Sequence, residues 1–87
     1  MGLQFRIRDS ALKHGVTEAD IHHAFEHNPF IAQYHDRENV YLLLGFDIKA
    51  NPIEVLYNEF GESGVNVFHA MKCRSQFLRL YGHKEIL

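Results

Sequence analysis

The 87-residue sequence has little cysteine and lacks any long apolar run. Its one cysteine excludes a disulfide within the chain, and such sparing use of cysteine fits the reducing cytosol. No apolar stretch approaches the roughly 20 residues that a membrane-spanning helix needs. The N-terminus also lacks the apolar centre of a signal peptide. We therefore expect a cytoplasmic protein that does not insert into membranes.

A basic excess is also lacking. Nine Lys and Arg against eleven Asp and Glu give a formal net charge of −2. This balance argues against sequence-independent nucleic-acid binding over a large surface, although a local basic site fits it. With 46% hydrophobic and 23% charged residues, the composition is that of a folded globular protein rather than a disordered one. The chain is long enough for one core, so we predict a single domain over residues 1–87.

Hydrophobic patterning predicts an α+β domain. Alternation over residues 3–8 predicts an outer strand, and further strands are predicted over four later segments: 30–35, 40–46, 53–60 and 65–71. The segment 40–46 is apolar at nearly every position, which indicates the central strand. Because short turns join the later strands, we expect an antiparallel sheet of about four strands. Two short N-terminal helices and a C-terminal helix would pack on it.

Helix signals precede and follow the strand region. Residues 11–14 predict a short helix. A second helix is predicted from about Glu18 to His27. Thr17 is its N-cap, and Asp20, three residues later, completes a weak capping box. The last helix is predicted over about 72–81. It should bury three apolar side chains, those of Phe77, Leu80 and Tyr81.

The stretch from His69 to Arg74 is the strongest candidate for chemistry, because polar residues there follow a strand and lead into a helix. His69 could transfer a proton near neutral pH, while Lys72 and Arg74 could hold an anion such as phosphate at the start of the helix. Strand alternation would place His69 on one face with its apolar neighbours, Val65, Val67 and Met71. The other interpretation of His69 is a core or rim histidine bonded to the backbone.

Other polar residues carry weaker signals. His23 and His27 have the i, i+4 spacing of two metal ligands, but no third ligand is evident, so we predict no metal site. Cys73 lacks a pattern that marks an activating partner, and we interpret it as a small helix residue rather than a nucleophile. Arg37 could join an anion site if its turn lies near the appropriate end of the sheet.

The segment from Lys13 to Val16, Lys-His-Gly-Val, precedes an acidic amphipathic helix. This arrangement resembles the N-terminal region of the BrnT-like toxins of bacterial type II toxin–antitoxin systems, a branch of the RelE-like ribonuclease superfamily. The order of the strands over 40–46, 53–60 and 65–71 is also similar. The end of the last strand matches the position of a Ser-Ala-Arg-like motif in that family. The resemblance covers roughly residues 5–81.

The resemblance implies a curved antiparallel sheet, cleavage of RNA without a metal or other cofactor, and neutralisation by a DNA-binding antitoxin. Matched by position, Lys13 and His14 correspond to the Lys-His segment, and Arg74 or Lys72 takes the place of the motif arginine. The sequence departs from the family in having His69 and its neighbours instead of Ser-Ala-Arg, and in being slightly acidic.

Two hypotheses follow. In the first, the chain is an endoribonuclease in which either His69 or His14 withdraws the ribose 2′-OH proton and the other protonates the leaving oxygen. Basic side chains would stabilise the phosphate, namely Arg74, Lys72, Lys13 and Arg37. In the second, the chain is a non-catalytic protein-binding module on the same scaffold, for example a homodimer. Clustering of the basic residues around His14 or His69 would favour the enzyme.

Overall fold

A computed structural model describes the backbone of residues 2–86 and the side chains of residues 2–80. The elements follow one another as β1 (Gln4–Ile7), a 3₁₀ helix (Asp9–Leu12), α1 (Glu18–Glu26), β2 (Phe30–Gln33), β3 (Tyr41–Phe46), β4 (Pro52–Phe60), β5 (Gly64–Lys72) and α2 (Ser75–Ile86). No helix in the described part of the chain is long and apolar enough to cross a membrane.

The strands form one five-stranded mixed sheet in the order β1-β5-β4-β3-β2. Strands β2 to β5 make the predicted antiparallel meander, and β1 adds to the edge of β5 in parallel. The α+β class and the outer position of β1 are confirmed. The prediction of about four strands, all antiparallel, and three helices is not fully met, because β1 is a parallel fifth strand and the first helix is a short 3₁₀ turn. Residue alternation carries no information about the direction of a partner strand.

The central strand is β4, so the prediction that residues 40–46 form the centre was wrong. Strand β3 is apolar because helices cover both of its faces, not because it is central. Leu43 belongs to the cluster under α1, whereas Leu42 and Leu44 pack with Phe77 of α2. We call these two sides of the sheet the α1 face and the α2 face.

Helix α1 begins as the sequence predicts. The Thr17 hydroxyl accepts a hydrogen bond from the Asp20 backbone N–H at 3.1 Å, and the Asp20 carboxylate accepts one from the Thr17 N–H at 3.0 Å. This capping box satisfies backbone donors that the first turn leaves unpaired. The helix buries Ile21 and Ala24 against the α1 face.

A β-bulge in β5 changes which residues share a face. Tyr57 pairs with Val67, but Leu56 pairs with His69, so Phe68 is an extra residue in β5. The bulge reverses the alternation, and His69 therefore lies on the α2 face, opposite Val67. The predicted row with His69 beside Val65 and Val67 was wrong for this reason.

The last helix begins later than predicted. Lys72 ends β5, and Arg74 directly precedes α2, so neither lies within the first turn of the helix. The burial of Phe77 is confirmed, whereas Leu80 remains 43% exposed. The predicted burial of the Tyr81 side chain lies outside the described residues.

Candidate functional site

Glu54 lies at the centre of the site. Its side chain is fully buried on the α2 face of β4, where an unpaired carboxylate would be costly. Oε1 accepts hydrogen bonds from the backbone N–H and the Nε–H of Arg74, both at 3.1 Å. Oε2 accepts from Arg74 Nη2 at 2.7 Å and pairs with His69 Nε2 at 3.1 Å. One buried carboxylate thus orients both a histidine and an arginine.

The charges of this cluster are mutually stabilising. Burial by itself raises the pKa of Glu54, but the hydrogen bonds from Arg74 and His69 outweigh burial, and the pKa lies below its ordinary value. The hydrogen bond to Glu54 and the attraction of its charge raise the pKa of Arg74. Glu54 is therefore an anion and Arg74 a cation at neutral pH.

The carboxylate also sets the tautomer of His69. Because a carboxylate only accepts hydrogen bonds, Nε2 of His69 carries the proton that faces Glu54. The unprotonated nitrogen of the neutral ring is then Nδ1. The side chain of His69 is 24% exposed. A histidine oriented by a carboxylate in this way can accept a proton while its new charge is stabilised.

His14 stands beside His69, with the ring centroids 5.9 Å apart. The 3₁₀ helix brings it there: buried Ala11 anchors that helix, and the Ser10 hydroxyl donates to the Phe68 carbonyl at the bulge, at 2.6 Å. After His14 the chain turns through Gly15, whose φ of +84° suits glycine. The two histidines of the sequence hypothesis therefore share one site.

The remaining predicted residues are spread more widely. Lys13 is exposed next to His14 at the end of the 3₁₀ helix, and Lys72 lines a cleft that His14 also lines. Arg37 lies in the turn between β2 and β3, at the end of β3 away from the β3–β4 turn. The site thus brings together His14, His69 and Arg74, with Lys72 nearby, and does not include Arg37.

The sequence did not lead us to Glu54, although this residue orients both His69 and Arg74. A signal was present: Glu54 is the only charged residue in the apolar segment Ile53-Glu-Val-Leu-Tyr57. A carboxylate in a strand buried on both faces requires basic partners, which could have been sought at the start of the next helix.

Cys73 lies between β5 and α2 rather than in a helix, and it is buried. Burial raises the pKa of its thiol to about 11, so little thiolate exists at neutral pH. This agrees with the interpretation of Cys73 as a structural residue.

We expect Cys73 to resist alkylation in the folded protein. Iodoacetamide at mildly alkaline pH should modify it much more slowly than it modifies the same protein in denaturant, because the reactive thiolate is scarce and covered. Mass spectrometry over a time course measures the two rates. Equal rates in the native and the denatured protein would contradict the placement of Cys73.

His23 and His27 have local structural roles. Nδ1 of His23 bonds to the Phe46 carbonyl, and Nδ1 of His27 bonds to the His23 carbonyl, each at 2.9 Å. The two rings stack with centroids 4.0 Å apart. The second bond satisfies a carbonyl in the last turn of α1, where helices leave acceptors unpaired. Among the described residues there is no group of three or more side chains of the types that hold a metal ion.

No protein-family model matches the chain, and the comparisons with curated proteins and with solved structures gave no significant match.

Proposed function

We propose that this protein is a metal-independent endoribonuclease of the toxin type. The observation that carries the proposal is the contact of His14 with His69, whose ring centroids lie 5.9 Å apart. This pair lies beside the cluster of Glu54 and Arg74. Two imidazoles can act as a base and an acid, and cleavage of RNA next to a 2′-hydroxyl needs both. The arginine supplies positive charge for the phosphate.

In the proposed reaction, Nδ1 of His69 takes the proton of the ribose 2′-OH. The 2′-oxygen attacks the adjacent phosphorus, the bond from phosphorus to the 5′-oxygen breaks, and His14 donates a proton to that leaving oxygen. The products are a 2′,3′-cyclic phosphate and a 5′-hydroxyl. We assign the base to His69 because the Glu54 carboxylate, 3.1 Å from Nε2, stabilises the imidazolium that forms.

Arg74 is suited to hold the phosphate during this reaction. Its guanidinium is oriented by Glu54, and 45% of its side chain remains exposed. Charge that is positioned before the reaction stabilises the growing negative charge without reorganisation. Lys13 and Lys72 add positive charge around His14, whereas the position of Arg37 removes it from the proposal.

The proposal is tested by incubating the purified chain with single-stranded RNA in the presence of EDTA. We expect fragments that end in 2′,3′-cyclic phosphates, identified by mass spectrometry. Intact RNA at high protein concentration would overturn the proposal. In the cell, we expect expression of the wild-type chain to slow growth and degrade RNA, and a DNA-binding antitoxin encoded beside it to relieve the effect.

The alternative function is a non-catalytic protein-binding module, which is favoured by two observations. The guanidinium of Arg74 is already paired with Glu54, an arrangement that also has a purely structural use. Apolar side chains are exposed on edge strand β2 and on α2, including Ile31 at 47% and Leu78 at 42%. Light scattering tests the homodimer form of this module: a dimer that leaves RNA intact would support it.

A further inference from the structure

Helix α2 covers only part of the α2 face. It packs over β3, where Phe77 belongs to one cluster with Leu42 and Leu44. Towards β1 the side chains on this face remain open to solvent, and those of Arg6 and Arg8 are exposed. We call this part the open half of the α2 face. Its side chains are those of Arg6, Arg8, Asn58, Phe60, Asn66 and His69.

Strand pairing arranges the open half in rows. Arg6 of β1 pairs with Asn66 of β5, which in turn pairs with Asn58 of β4. The side-chain amide of Asn66 donates a hydrogen bond to Oδ1 of Asn58 at 3.1 Å, so these two side chains share one face. Leu56 precedes Asn58 on the same face of β4, and it pairs with His69. The row that begins at Arg6 therefore lies beside the row that contains the proposed catalytic base.

The open half is positively charged, although the whole chain has a net charge of −2. The described strands contain two acidic residues, Glu54 and Glu59. Arg74 neutralises Glu54, and Glu59 lies on the α1 face. Neither Arg6 nor Arg8 forms an ion pair with any residue that the structure describes. Both guanidinium groups are therefore available to an anionic ligand.

Both of these arginines are positioned by the strand. The guanidinium carbon of Arg6 lies 4.3 Å from the centre of the Phe60 ring, a cation–π contact that orients the side chain. The backbone N–H of Arg8 donates to the Val67 carbonyl at 2.9 Å, so the ladder continues and alternation places Arg8 on the same face as Arg6. Residues two apart in a strand are separated by about 7 Å. The two guanidinium groups can thus contact different phosphates of one extended strand.

We propose that the open half binds single-stranded RNA, with Arg6 and Arg8 contacting phosphates of the strand whose cleaved bond lies at His69. Guanidinium groups and side-chain amides such as those of Asn58 and Asn66 are the donors that phosphate and sugar oxygens accept from. The centre of a protein interface is usually apolar. None of the large apolar side chains exposed in the described part of the chain lies in the open half, which favours RNA over a protein partner.

The position of the cleaved bond rests on the proposed ribonuclease function, whereas RNA binding is measurable without cleavage. The probe is a fluorescent oligouridylate whose 2′-hydroxyls are methylated, so that it lacks the attacking group. Arg6→Gln and Arg8→Gln should each weaken its binding several-fold. Each should also reduce the slope of log affinity against log salt by about 0.7, the value for one lost phosphate contact with a single strand. Fluorescence anisotropy over a salt series measures both quantities.

Arg37→Gln is the matched control. It removes the same charge from an exposed side chain in the turn between β2 and β3, and it should change neither the affinity nor the salt slope. Equal affinities and equal salt slopes in the wild type, the control and the double variant with Arg6→Gln and Arg8→Gln would overturn the RNA site.

Cleavage of unmodified RNA separates this proposal from the ribonuclease itself. Binding that both arginine variants weaken, together with unmodified RNA that stays intact, would support the open half and overturn the ribonuclease. Cleavage by the double variant with the wild-type kcat/KM and the wild-type affinity would overturn the open half and leave the ribonuclease standing. Binding of an oligoglutamate peptide, but not of the oligouridylate, would indicate a protein partner and overturn the RNA site.

Discussion

Replacing His69 by alanine should lower the rate of RNA cleavage about 10²- to 10⁴-fold, the usual contribution of a positioned acid or base. In the proposed reaction His69 takes the 2′-OH proton, so the variant would remove the base while leaving Glu54 paired with Arg74. Because Arg74 keeps three of the four bonds to that carboxylate, the local fold should persist. The loss should therefore fall on the catalytic step rather than on binding.

Single-turnover cleavage of a labelled RNA measures this rate, and binding of RNA is measured alongside. His35→Asn is a suitable control, because His35 is exposed in the β2–β3 turn with a φ of +50° that asparagine also adopts. The control should cleave RNA as the wild type does. A His69→Ala protein that retains the wild-type rate would contradict the assignment of the base.

The largest loss of stability is expected from Glu54→Ala. Removing Glu54 takes away the charged acceptor of Arg74, whose side chain is 45% exposed and can be hydrated, and the loss of hydrogen bonds to a charged group costs about 1.5–3 kcal/mol. Here the backbone N–H of Arg74 and the ring of His69 would also lose their acceptor. Urea denaturation measures the free energy of unfolding. Glu59→Ala, on the same strand but exposed, should leave this free energy nearly unchanged. Similar stability of the two variants would contradict the role of Glu54.

The contribution of Glu54 should depend on pH in a defined direction. Its pKa in the folded chain lies below its ordinary value of 4.5. The unfolded chain therefore binds the proton first as pH falls, and the stability that Glu54 provides above pH 4.5 is lost as pH falls through the lowered pKa. The difference in stability between the wild type and Glu54→Gln should thus be largest near neutral pH and shrink in acid.

Local pattern was enough to predict most of the secondary structure. The capping residues Thr17 and Asp20 mark the start of α1, and alternation marks the strands, because both signals depend on neighbours in sequence. The parallel pairing of β1 with β5 depends on distant segments. The bulge at Phe68 has no local signature, and it alone moves His69 to the other face of the sheet.

The candidate site was predicted only in part for the same reason. His14 and His69 were both identified as chemical residues, but their proximity arises from the contact of Ser10 with the bulge, which no sequence period encodes. Glu54 was missed because strand alternation predicts only which face of the sheet a residue lies on. It does not predict which distant residue the side chain contacts. The pairing of Glu54 depends on Arg74, which follows β5 and lies 20 residues away in sequence.

The central claim is that His14 and His69 act together on one phosphodiester bond. It is tested most directly by a double-mutant cycle in which cleavage is measured for the wild type, His14→Ala, His69→Ala and the double variant. Residues that act as a unit show strongly non-additive effects. We predict that the double variant is about as slow as the slower single variant. The claim would be contradicted if the rate losses of the two single variants multiplied in the double variant. A His14→Ala protein as active as the wild type would also contradict it.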